Sequence, residues 1–290
     1  MPYVRKRGGY LVKKIAKRIK NFVSIYKAFA KAGVQSSMAY RTSFMCFVLG
    51  ESLYCFVMYF IWKAVFASSG ENLFMGFTMT DMTVYVFLSN LVGFLTSTDS
   101  TDNLADEIHD GSIIMRMIKP VNVDHSILSF EVGNKVMMIT CIFLPVMFCV
   151  EVYRYVVLGY VAFNIVNFLI FVVSVILSYL LSFYLNLIFG YLAFYLLNIW
   201  GFSILKGSII KFFSGALIPL AFFPGIVRTI FEQLPFASMI YVPTMIYMGK
   251  YNVSELLFVL GKQVFWLIVF VYISKAMWGW AQKRLAVQGG

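Results

Sequence analysis

The sequence predicts an all-α membrane protein: six transmembrane helices, an N-terminal amphipathic interfacial helix and an outer re-entrant helical hairpin before the last span. Three observations carry this. Hydrophobic residues make up 61% of the 290 positions and charged residues 13%, with a mean hydropathy of +0.82. Soluble domains carry about 45–50% apolar and roughly 25% charged residues, so a soluble enzyme could not cover its surface. Apolar runs long enough for a hydrocarbon core of about 30 Å recur along the chain. The charge is also segregated: residues 1–42 hold Arg5, Lys6, Arg7, Lys13, Lys14, Lys17, Arg18, Lys20, Lys27, Lys31 and Arg41 with no acidic residue, which accounts for the net charge of +11. Disorder and a small disulfide scaffold are excluded by the same composition.

The basic arm, residues 1–42, reads as one unit. Within 10–32, Leu11, Ile15, Ile19, Phe22, Tyr26 and Phe29 recur at spacings of three and four, with lysines mostly off that stripe. This pattern suits a helix in the headgroup region, its lysines on anionic lipid phosphates; packing of the same face on another part of the protein is the alternative. Nucleic acid is not an expected partner, since no stacking or groove-reading motif accompanies the lysines. Nor does the arm resemble a signal peptide, having no short apolar core followed by a cleavage site.

The spans follow in order. The first is 44–66, ending in a polar turn at 68–72, and the second is 82–98. A polar stretch, 99–125, separates it from the third, 127–150. No charge occurs between Arg154 and Lys206, and parity decides how to divide that run. Basic residues favour the cytoplasmic side, so the arm and the tail at 283–290, with Lys283 and Arg284, both belong inside. An even count results: a fourth span at 163–189, an inner turn at 198–206, a fifth span at 209–223 and a last span at 256–278. Ser174, Ser178 and Ser182 form a small-residue stripe on the fourth span, suited either to packing within the chain or to a subunit interface. Before the last span, 224–251 is both apolar and proline-rich. With Pro219, Phe223, Pro224, Pro235, Phe236 and Pro243 it reads as an outer hairpin, because prolines break helices and broken backbone at membrane depth must be covered.

Chemistry-bearing motifs are few. Gly249-Lys250 is followed by Tyr251 and Gly261-Lys262 by Gln263, so neither is a nucleotide loop. The only histidines are His109 and His125. Cys46, Cys55, Cys141 and Cys149 lie in apolar runs without metal-ligand spacing and are expected as buried free thiols. No catalytic residues and no metal are expected, and the chain by itself is not expected to be an enzyme. Within 99–125, an acidic stretch can form a short helix over 103–109, stopped by Gly111. It suits either docking of a soluble partner or a solvated loop. Glu51 lies inside the first span, where an ionisable group is costly; it either faces a pathway and attracts cations or pairs with a base such as Lys135. Glu131 and Lys135, at i,i+4, are expected as a structural ion pair.

The segment ADEIHDGSIIMRMIKPV (105–121) resembles the loop between spans two and three in permeases of the ABC type-2 transporter family. FSGALIPLAFFP (213–224) is similar to that family's end of span five, followed in order by LPF (234–236) and PTMIYMG (243–249), and Trp62 also fits. The resemblance covers roughly 35–282 and implies a six-span permease domain, 43–282. It further implies an ATP-driven exporter in which two permeases, identical or homologous, assemble with two separate ABC ATPase subunits that bind ATP and Mg. The chain itself would carry no cofactor. The coupling helix would then be Asp102, Asn103, Leu104, Ala105, Asp106, Glu107, Ile108, His109, Asp110 and Gly111, with Arg116, Lys119 and Pro120 downstream. An amphipathic, drug-like, peptide or lipid-like substrate would be moved outward across the cytoplasmic membrane of a bacterium, both termini being cytoplasmic. An ion-coupled transporter or channel, and a non-transporting membrane anchor or immunity subunit, stay open as alternatives.

Overall fold

The computed structural model describes residues 23–70, 73–196 and 198–288. The lysines and apolar stripe expected before residue 23, and part of the polar turn at 68–72, lie outside them. Among the described residues the fold is helical, with one isolated bridge between Phe74 and Phe77. The helices are α1 (23–39), α2 (Arg41–Ser69), α3 (Met79–Thr96), α4 (Ser100–His109), α5 (Ile113–Met117), α6 (Val123–Met138), α7 (Leu144–Leu158), α8 (Ile165–Tyr191), α9 (Trp200–Phe213), α10 (Gly225–Gln233), α11 (Tyr241–Tyr247) and α12 (Val253–Gln288).

Local signals set most boundaries. Thr78 and Asp81 close a capping box on α3, and the Asn164 side chain caps α8 by accepting from the Val166 and Asn167 amides. Gly70 and Gly159 end α2 and α7 in the left-handed conformation. A π-helical turn, Ile139–Phe143, joins α6 to α7 just ahead of Pro145. Widening the helix there accommodates a ring that cannot donate and that would crowd the preceding turn.

Five helical stretches are long and apolar enough to cross a membrane: Arg41–Ser69, Met79–His109, Val123–Leu158, Ile165–Phe194 and Val253–Lys283. The expected fifth span at 209–223 is not among them. Its place is taken by α9, which starts earlier and is 14 residues long, about 21 Å at the helical rise. It stops where Gly215 turns left-handed (φ 78°) with its carbonyl accepting from the Tyr85 hydroxyl at 2.6 Å. The expected inner turn shortens to the few residues before Trp200, so Lys206 lies within α9. The expected tail is not separate either, since α12 continues to Gln288.

The bundle has two ends. Residues 99–125 form the basal end, and 73–78, 159–164 and 214–252 the apical end. Both α1 and the end of α12 are basal. Tyr26 accepts from the Asn122 amide at 3.2 Å, and Trp278 lies 5.3 Å from the Tyr191 ring. The described part of the arm therefore packs on protein. A Cβ on Gly33 would stand 2.0 Å from the Phe130 carbonyl, and one on Gly133 2.0 Å from that of Ala30, so α1 crosses α6 backbone to backbone. Ser37 adds a hydrogen bond to Asn134 at 3.0 Å.

The serine stripe of α8 faces inward. Ser174 donates to Gln263 at 3.0 Å, Ser178 donates to the Ser238 carbonyl at 2.7 Å, and the Gln263 amide reaches both Ser178 and that carbonyl. It binds α8 to α12 and to the apical segment, which settles the choice for packing within the chain. The thiols are free, but only Cys55 is buried; Cys46, Cys141 and Cys149 are exposed on the sides of the helices, where apolar burial was expected.

Replacing Gly133 or Gly33 by Ala is expected to force α1 off α6, at about the 1–3 kcal/mol typical of overpacking. The thermal midpoint in detergent should fall for both variants and stay unchanged for Gly261→Ala, whose added Cβ meets nothing within 4 Å. Equal midpoints for all three variants would contradict the crossing.

Candidate functional site

The acidic helix is α4, one turn earlier in its start than the sequence indicates. Thr101, Leu104 and Ala105 are buried, whereas Asp102, Asn103 and Asp106 are exposed. This is the i, i+3, i+4 pattern of a helix with one face seated and one face free. The seated face meets α8: a Cβ on Gly190 would stand 2.9 Å from Leu104, so the glycine makes the socket for that side chain. Thr101 donates to Asn186 at 2.7 Å, and Lys206 of α9 donates to Thr101 at 2.6 Å and to Asn186 at 2.5 Å. Asp102 accepts from Ser203 at 2.7 Å, and the His109 ring bonds the Leu196 carbonyl at 3.0 Å. The helix is thus fixed to α8 and α9 along its length.

Its C-terminal end is braced separately. Gly111 (φ 79°) supplies the left-handed stop. Arg116 grips Glu107 with both prongs of its guanidinium, each at 2.5 Å, and reaches Ser126 on α6 at 3.2 Å. Ser112, through its hydroxyl and its amide, holds the Asp110 carboxyl below the usual carboxylate range, so the exposed end stays charged. Ile108 is half-buried, and Lys119 and Pro120 are exposed in the turn beyond α5.

Between α3 and α4 the helix opens for three residues, 97–99. Glu131 and Lys135 are both buried there, but the expected contact ion pair does not form. Lys135 instead donates to the Phe94 carbonyl at 3.0 Å and to Ser97 at 3.1 Å, while Glu131 accepts from Ser100 at 3.2 Å. One turn apart on α6, they hold opposite sides of the break. The lysine satisfies a carbonyl that the interrupted helix leaves without its usual donor.

Glu51 does not reach Lys135. It accepts from the Asn90 amide at 3.2 Å and lines a cavity of about 570 Å³ between α2, α3 and the α6–α7 helix.

At the apical end the expected hairpin is two short helices. α10 is largely exposed, with Ile226 80% accessible, whereas every residue of α11 is buried. Pro219, Pro235 and Pro243 are buried, Phe223 and Phe236 half-buried and Pro224 exposed. Phe223 and Phe236 join the ring cluster around Phe213 and Phe231. Phe222 lies 5.3 Å from Trp62 and 5.4 Å from Phe77, sealing this segment onto α2 and α3. Salt bridges Lys250–Asp81 and Arg154–Glu151, the latter with the Tyr247 hydroxyl on the same carboxylate, pin α11 at its rim.

Sequence reasoning missed Lys206, Asn186 and Thr101 as a group. The available signal was polarity out of place: an amide within the most apolar helix, and the first cation after a long uncharged run. Asn186→Leu strips the buried ammonium of one neutral acceptor, a change of the kind that costs about 1–3 kcal/mol. Adding Lys206→Met should recover most of that loss. Hydrogen exchange over 100–109 reads it directly, rising in the single variant and falling back in the double; additive losses would contradict the network.

A family model described as ABC-2 family transporter protein matches residues 52–289. No curated protein matches the chain.

Proposed function

The chain belongs to the ABC-2 transporter family, and on that premise we propose that it is the permease subunit of an ATP-driven exporter whose ATPase docks on α4. It is a multi-pass membrane protein of helical architecture. In our reading its basal end faces the cytoplasm, where the net positive charge of residues 1–42 favours it. α9 then counts as a short sixth crossing. It starts beside Asp102 and ends beside Tyr85 on the antiparallel α3, and it returns α12 to the basal side. α11 becomes the re-entrant part of the outer hairpin: Tyr241 lies 6.4 Å from Tyr85 and Tyr247 5.2 Å from Phe171, each of those partners two turns inside its own helix.

The observation that carries the reading is the division of α4. Among the described residues its exposed Asn103 and Asp106 side chains hold no partner, and its other face is locked to α8 and α9. Two ATPase subunits closing on ATP and Mg would push α4, and the push would pass into the second, fourth and fifth crossings. That differs from the route through spans one, two and three that the loop's position alone suggests. The three-residue opening at 97–99 lets α4 pivot while Glu131 and Lys135 keep it in register. A second permease, identical or homologous, completes the pathway, and substrates are amphipathic. Anionic lipid headgroups bind the lysines of the arm.

Asn103→Arg combined with Asp106→Arg replaces exposed side chains that hold no partner among the described residues. Like-charge juxtaposition at a docking surface typically costs several kcal/mol, so copurification of a co-expressed ABC ATPase subunit in mild detergent should drop at least about tenfold. The thermal midpoint should not move. Undiminished copurification, or no ATPase retained by the unaltered chain, would refute the docking role.

A further inference from the structure

We propose that the cavity between α2, α3 and the α6–α7 helix binds a hydrophobic monocation, with its positive centre against Glu51. The cavity, about 570 Å³, falls in the range of roughly 300–1,000 Å³ that suits a drug-sized ligand. Its walls are almost wholly apolar, with rings from Phe56, Phe87 and Phe94. Two of the hydroxyls that reach it are spent, Ser52 donating to the Val48 carbonyl and Thr83 to the Met79 carbonyl, each at 2.8 Å; the phenols of Tyr59 and Tyr153 line it as well.

Its one acidic side chain is Glu51, which accepts from the Asn90 amide on one of its oxygens at 3.2 Å. Among the described residues no Lys, Arg or His nitrogen pairs with it. A carboxylate ten residues into a membrane-spanning helix is costly unless a cation completes it, and here no side chain does. The cavity therefore has room for a ligand, aromatic faces that favour a cation and one uncompensated negative group. A phospholipid headgroup does not belong at this depth; a single positive centre on an apolar body does. The π-helical turn contributes Cys141 and Ile142 to the wall, a type of irregularity often found at functional sites.

As a statement about what is exported, this rests on the permease reading; as a binding site it does not. The test uses purified full-length chain in detergent, without ATPase, and tritiated tetraphenylphosphonium followed by scintillation proximity. Binding should be saturable, at least about tenfold weaker in Glu51→Gln, and absent for labelled tetraphenylborate assayed separately, which has the same shape and opposite charge. In the unaltered chain the bound cation should also slow alkylation of Cys141 and Cys149, which line the cavity, but not of Cys46, which does not. That readout decides the matter should Glu51→Gln fail to fold. No saturable binding, equal binding in Glu51→Gln, equal saturable binding of tetraphenylborate or no protection overturns the site. ATPase copurification, unchanged in Glu51→Gln, reports separately on the permease reading.

Discussion

The seat of α4 on α8 is the contact on which the basal half of the molecule depends. Leu104 can enter only because position 190 is glycine. The same contact brings Thr101 to Asn186 and lets Lys206 share both oxygens. A lysine ammonium away from water is tolerated only with its donors occupied, so the network fixes where α9 begins as well as where α4 lies. A second buried polar network, Ser174 and Ser178 of α8 with Gln263 of α12, lies within the bundle and does the same for the apical half.

A second constraint comes from the bilayer. Backbone groups within it must be satisfied by protein, and each interruption of a helix has an identifiable partner. The break at 97–99 is served by Lys135 and Ser97, which both donate to the Phe94 carbonyl, and the end of α9 by Tyr85 and by the Tyr241 amide, which donates to the Ser214 carbonyl at 3.0 Å. Interruptions so held are places where rigid pieces can turn against one another without exposing unpaired groups.

What the sequence makes legible is what neighbouring residues decide. The helices near 44–66, 127–150 and 163–189, and the stop at Gly111, follow from apolar length and a left-handed glycine, all encoded within a few turns. Pairings between distant helices are another matter. Glu131 and Lys135 have ideal spacing for each other, yet both turn to a helix end some thirty or more positions away, because an unsatisfied carbonyl and a hydroxyl lie there. Gly33 and Gly133 carry no sign in the sequence of their mutual approach. The serines of α8 suited two partners equally until Gln263 appeared opposite them. For α9, charge parity asked for a crossing at 209–223, whereas the helix found there is Trp200–Phe213, which puts Lys206 inside it.

The most direct measurement of the central claim is the location of the exposed face of α4. With Asn103→Cys as the single thiol in an otherwise cysteine-free chain, a membrane-impermeant maleimide should leave intact cells unlabelled. It should label opened membranes, and an assembled ATPase should block that labelling. Labelling from outside intact cells, or labelling indifferent to the ATPase, would contradict a cytoplasmic lever.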